Sequence, residues 1–183
     1  MKKTILALLF SFLPLFVFGQ GYTPRPISVE LGIGALYSFD KQGFDKTLPG
    51  GVAFGEVRYN FRRLPLDVGL LASAQIFSRS IAGGEKLDYI SKNLMVVADY
   101  NYYRDAKLSF FAGLGVGVGF FDHIDGMKYV GNGMFVNGNE LKTPLCFMPR
   151  IGMTVVNHFR ISLAYLLEDR ANSNLSLRLG YMF

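Results

Sequence analysis

The sequence predicts an all-β protein, an eight-stranded antiparallel up-and-down transmembrane β-barrel. Three observations carry this. From Pro26 to Phe183 the apolar residues recur at every second position, block after block. That is the period of a strand whose two faces meet different surroundings. The blocks number eight, and the connections between them alternate between long polar segments and short ones, the pattern of a barrel with loops at one end and tight turns at the other. Finally, the face opposite the apolar one is rich in glycine and poor in charge, which makes a poor surface for water.

Before the first block lies MKKTILALLFSFLPLFVFGQ. Lys2 and Lys3 form a positive n-region, and Ile5 to Phe18 an apolar stretch too short to span a bilayer comfortably. Gly19 can precede a cleavage point, so residues 1–19 read as a secretory signal peptide and residues 20–183 as one barrel domain. No cysteine lies near the junction, which speaks against lipoprotein processing. Removing the leader takes two lysines and no acid, so the net charge of +5 falls to a mild +3. With no run of Lys or Arg, nucleic acid is not an expected partner. The lone Cys146 has no partner for an internal disulfide.

Strand by strand, the first block sets Ile27, Val29, Leu31, Ile33, Ala35, Tyr37 and Phe39 against Ser28, Glu30, Gly32, Gly34 and Ser38. The second sets Ala53, Gly55, Val57, Tyr59 and Phe61 against Val52, Phe54, Glu56, Arg58 and Asn60. The third runs from Leu66 to Ile76 and the fourth from Ile90 to Tyr102, with Asp67, Gln75, Asn93, Asp99 and Asn101 on their polar faces. The fifth, FFAGLGVGVGFF from Phe110 to Phe121, places Gly113, Gly115, Gly117 and Gly119 on one face. The sixth, near Leu145 to Val155, contains Pro149, which lacks a ladder donor and predicts a bulge or a frayed segment. The seventh carries Ile161, Leu163, Tyr165 and Leu167, and the eighth is SLRLGYMF. Long connections fall near Asp40–Pro49, Arg79–Leu87, Asp122–Lys142 and Asp169–Ser173, and short ones near Arg62–Leu64, Tyr103–Ala106 and Val156–His158.

Alternation does not say which face is outside. A soluble lipocalin-like barrel would turn its apolar face inward. Here Tyr37 and Phe39, Tyr59 and Phe61, Tyr100 and Tyr102, and Tyr181 and Phe183 cluster at the ends of the apolar face. Amphipathic rings at strand ends suit the two membrane interfaces, so the apolar face is expected to meet lipid.

The signal peptide, the FFAGLGVGVGFF strand and the terminal LRLGYMF resemble the small eight-stranded outer-membrane barrels of the OmpA/OmpX-like superfamily over the whole mature chain. The resemblance implies an integral protein of the cell outer membrane with periplasmic termini. It also implies that Leu179, Tyr181 and Phe183 form the signal read by the barrel-assembly machinery. That superfamily holds adhesins, stability factors and lipid-modifying enzymes, so it specifies class better than activity.

An eight-stranded lumen is just wide enough for side chains to fill. The alternation points Glu30, Glu56, Asp67, Asp99 and Glu168 inward together with Arg58, Arg79, Arg150, Arg160 and Arg178. Arginine's planar fork matches a carboxylate at two points, which suits packed pairs. Gly113, Gly115, Gly117 and Gly119 are then expected to leave the volume that the arginines occupy, and Glu30 is expected to pair with Arg178 on the adjacent last strand. A phosphate-cradling loop is the weaker reading of the glycines, because no helix follows Phe121.

Catalytic candidates are few. His123 lies at the outer rim in FFDHIDGM and His158 in a short turn at the opposite end, so the two share no centre. A nucleophile needs a base within hydrogen-bond reach, and no serine neighbours His123. Asp122 and Asp125 with His123 read as a solvated cluster, and Cys146 as a small inward filler. The expected role is non-enzymatic, structural or surface-interacting, without cofactor or metal. The longest loop would carry any contact with an extracellular partner through Tyr129, Met134 and Phe135. Lys92 faces lipid near the outer rim, where lipopolysaccharide phosphates would be its partners. The alternatives are a lipid A or phospholipid acyl hydrolase and a transporter of small hydrophobes or solutes.

Overall fold

The computed structural model describes residues 25–38, 46–47, 49–80, 86–105, 107–122, 128–130, 134–136, 144–168 and 173–183. The leader, His123 and Asp125 lie outside the described residues. Eight long strands follow the period-two blocks: β1 (Ile27–Ser38), β2 (Gly50–Asn60), β3 (Leu66–Ser80), β4 (Lys86–Arg104), β5 (Leu108–Asp122), β6 (Leu145–Val155), β7 (Phe159–Leu166) and β8 (Asn174–Met182). Each pairs antiparallel with its neighbours in sequence, and β8 closes on β1 from Glu30 opposite Met182 to Ser38 opposite Asn174. Closure leaves no edge among these strands to pair with another chain.

The registers give the stagger of the barrel. Followed one way round from Arg178, the pairing passes Gly34, Val52, Gln75 and Ser91 to Phe121. Followed the other way, it passes Ser162 and Gly152 to Phe111. The two routes end ten residues apart on β5. This shear tilts the strands by roughly 40° and sets a lumen one side chain wide.

The faces divide as the alternation requires. Leu31, Ile33, Leu70, Val96, Leu114, Ile151, Leu177 and Leu179 point outward and are exposed, Ile33 at 69%. Glu56, Arg58, Asp99, Arg160 and Arg178 are no more than 3% exposed. Fully buried between the ends of the lumen lies an apolar layer of Leu71, Met95, Val97, Met148 and Leu166, with Phe54 and Ala164.

Two local features depart from simple alternation. In β4 the ladder to β5 shifts register between Asn101 and Tyr103. The bulge turns Arg104 inward and leaves Tyr103 40% exposed, whereas strict alternation puts Tyr102 outside. In β6, Pro149 stays in register with Leu114 of β5, so it causes no bulge there. On the β7 side the ladder stops at Arg150–Ala164 and resumes at Phe147–Leu167, whose amides exchange bonds of 2.8 and 2.7 Å. The gap falls where Pro149 has no N–H to give.

The short β6–β7 turn holds Val156 and Asn157 at φ of 51° and 58°, closed by the His158 amide donating to the Val155 carbonyl at 3.2 Å. Both central residues are left-handed, the requirement of a type I′ hairpin turn. Val156 is β-branched, so its Cβ crowds the backbone there. Val156→Asn is expected to stabilise the folded barrel by about 1 kcal/mol, read as a higher urea midpoint for loss of the compact gel-mobility form.

Candidate functional site

The strand registers set which charges meet in the polar interior. Glu30 of β1 stands directly opposite Glu56 of β2, and Asp67 of β3 directly opposite Asp99 of β4. Like charges facing each other across a ladder repel, and each pair is resolved by guanidinium groups. Arg58 lies two residues from Glu56 on the same face of β2. Its Nη2 donates to Glu56 Oε1 at 2.6 Å and to Glu30 Oε2 at 2.7 Å. Arg150 of β6 reaches across the lumen and binds two carboxylates at two points each. Nη1 and Nη2 donate to Glu56 at 2.6 and 2.8 Å, and Nε and Nη2 donate to Asp99 at 2.9 and 2.8 Å. Arg160 of β7 donates through Nη2 to Asp99 Oδ2, and its Nε lies 3.6 Å from Glu30 Oε2. Three acids and three arginines thus form one buried network.

The remaining inward charges sit apart from it. Asp67 accepts from Arg104 Nη2 at 2.5 Å and from Asn101 Nδ2 at 2.7 Å at the end carrying the short turns. Glu168 accepts from Asn93 Nδ2 at 2.7 Å, Ser91 Oγ at 3.2 Å and Cys146 Sγ at 3.2 Å at the other end. There Gln75, Asn93 and Asn174 extend a layer of amides, with Asn174 Nδ2 donating to Gln75 Oε1 at 2.7 Å. The side chain of Arg79 lies outside the described residues.

Two expectations are corrected. Glu30 does not pair with Arg178: Arg58 and Arg160 occupy its carboxylate, because the ten-residue stagger brings β2 and β7 side chains to it before the neighbouring arginine. Arg178 instead donates Nε to Ser176 Oγ at 3.0 Å, with its guanidinium carbon 5.5 Å from the Phe54 ring centre. The glycines also serve different neighbours than expected. A Cβ at Gly113 would collide with the Asp99 carboxylate, and one at Gly119 with Glu168. At Gly115 it would press on Val97 and Met148, and at Gly117 on the Leu94–Met95 backbone. The room they leave is filled by acids, Met148 and main chain rather than directly by arginine.

Sequence reasoning missed two contributors. Arg104 was hidden by the bulge. Phe111 shares the glycine face of β5, where alternation could have revealed it. It is fully buried, with the Arg160 guanidinium 3.4 Å from its ring centre and Arg150 at 6.0 Å. Such stacking lets a guanidinium give its edges to carboxylates while its face rests on an aromatic ring.

Below the network, at the short-turn end, a vestibule of about 170 Å³ is lined by Arg25, Asn60, Asp67, Arg104, His158 and Arg160 among others. His158 packs edge-on against Tyr181, ring centres 5.6 Å apart. Leu179, Tyr181 and Phe183 all point outward beside Phe159. Tyr129, Met134 and Phe135 lie in a two-stranded ladder of Lys128–Val130 with Met134–Val136, and their side chains are outside the described residues. Among the described residues, no group of three or more His, Cys, Asp or Glu is arranged to hold a metal ion.

The network is chemically a closed ion-pair cluster. Removing one member leaves its partners buried and uncompensated, at a cost of about 3–5 kcal/mol. Asp99→Asn removes the carboxylate that Arg150 and Arg160 share and leaves Arg160 with only the longer contact to Glu30. It is expected to destabilise the folded form by about that amount, read as a lower urea midpoint. Ser28→Ala, outside the ion pairs, should move it by far less.

No family model matches the chain, and no curated protein matches it. Among solved structures it is similar to Neisserial surface protein A, with a TM-score of 0.57 and 9% identity over 86% of this chain and 96% of that one. It is also similar to the Yersinia pestis outer membrane protein Ail, at 0.48 and 18% over 86% and 98% of the two chains. The outer membrane enzyme PagL gives 0.48 and 13% over 85% and 98%. Closed pairing of eight strands, outward apolar side chains and the likeness to Neisserial surface protein A together give the chain the fold of the small eight-stranded outer-membrane barrels.

Proposed function

We propose that the protein is an integral outer-membrane barrel with a structural or surface-interaction role exerted through its loops, and that it is not an enzyme. One observation carries this reading: the outside is a continuous apolar belt, and beyond the vestibule the described interior is filled by paired charges, apolar side chains and amides. Exposed Leu, Ile and Val side chains cover all eight strands. A patch of that extent is untenable in water and natural in lipid. Inside, the vestibule ends at Arg58 and Arg160, and the apolar layer around Met95, Met148 and Leu166 lies beyond the network. Packing of this kind supports neither a solute path nor an interior substrate site.

What remains for recognition is the end opposite the chain termini, where the long connections gather. The termini would then lie on the periplasmic side with the three short turns. Leu179, Tyr181 and Phe183 stay available on the outer wall as the proposed assembly signal. Outer-membrane lipid and lipopolysaccharide would surround the belt, with Lys92 on the lipid face of β4.

Two outcomes are expected. Deleting residues 126–140 should leave heat-modifiable migration in the outer-membrane fraction intact while abolishing adherence of expressing cells to the target surface. Loss of insertion instead would make the loop a structural element. Reconstituted into planar bilayers, the protein should show no conductance above the lipid background. Stable openings would restore the transport reading.

A further inference from the structure

Arg178 is the charged group that the network does not explain. It is 2% exposed, and neither Nη1 nor Nη2 has a hydrogen-bond partner in the protein. Its one hydrogen bond runs from Nε to the neutral Ser176 hydroxyl. The Phe54 ring 5.5 Å away offers only the weak attraction of a quadrupole.

The nearby carboxylates cannot serve it. The charged groups that act on Arg178 are Arg150, Glu56 and Glu30. Glu56 already accepts from Arg58 and Arg150 on both oxygens. Glu30 Oε2 is held by Arg58 and faces Arg160, while its Oε1 lies over Gly180. Asp99 is shared by Arg150 and Arg160. This part of the lumen therefore holds four guanidinium groups against three carboxylates. Of the other inward acids, Asp67 is taken by Arg104 and Asn101 at the short-turn end, and Glu168 is bound by Asn93, Ser91 and Cys146 at the far end.

A buried cation that no carboxylate contacts is costly, and two unmatched N–H groups in the same place add the cost of unmade hydrogen bonds. A water molecule would satisfy the edges but leave the excess charge. We propose that the free edge of Arg178 binds a small monovalent inorganic anion, with chloride as the physiological candidate, as a structural ligand of the lumen. The site is independent of the loop-mediated role proposed above. It requires Nη1 and Nη2 as donors and one compact negative charge.

The test uses the full mature chain folded in detergent. Crystals grown in sodium bromide should show an anomalous peak within hydrogen-bonding distance of Arg178 Nη1 or Nη2. In parallel, the melting midpoint of the compact form should be a few degrees higher in sodium chloride than in sodium gluconate at equal ionic strength, since bulky gluconate cannot enter the packed lumen as a compact anion would. That difference should vanish in Arg178→Met. A water without anomalous signal at Arg178 would overturn the proposal. Equal midpoints in the two salts would overturn it as well, as would a difference that Arg178→Met retains. The bromide measurement needs no variant, so it decides the matter even if Arg178→Met does not fold.

Discussion

The interaction on which the rest of the barrel depends is the neutralisation of two carboxylate pairs that the strand registers place face to face. Glu30 opposes Glu56, and Asp67 opposes Asp99. Left alone, either pair would force its strands apart or abandon its charge. Arginine resolves both, because one planar guanidinium can donate to two acids at once. Arg58 joins Glu30 to Glu56, Arg150 joins Glu56 to Asp99, and Arg104 takes Asp67. A network that draws on β1, β2, β4, β6 and β7 ties distant parts of the barrel wall together through its interior.

Such a network must fit a lumen one side chain wide, and this explains the glycine pattern. Gly113 lies under Asp99, Gly119 under Glu168 and Gly180 under Glu30, each where a Cβ would strike a carboxylate. Gly32 and Gly152 do the same under the rings of Phe54 and Phe111. These five large inward groups thus each stand over a glycine on a neighbouring strand. The entropic cost of glycine in a strand is the consequence of placing charges and rings inside so narrow a tube.

The described interior is layered. An ion-pair cluster lies at one level, an apolar layer at the next and an amide layer above. On the loop-mediated role proposed above, substitutions in the long connections would alter recognition without touching these layers.

The period-two pattern alone determined the strand number, the centre of each strand and which side chains share a face, because alternation of side chains is a local property of extended backbone. The aromatic residues at the strand ends then marked which face points outward. It likewise identified Glu30, Glu56, Asp67, Asp99, Glu168, Arg58, Arg150, Arg160 and Arg178 as inward groups, which the structure places in the lumen. Partnership was decided only in three dimensions. The ten-residue stagger around the barrel sets which inward groups share a level, and stagger is a property of closure rather than of any one strand. For that reason Glu30 met Arg58 and Arg160, and Arg178 was left beside Phe54. The β4 bulge likewise reversed Arg104, a change of phase that alternation alone cannot reveal because it arises from pairing with β5.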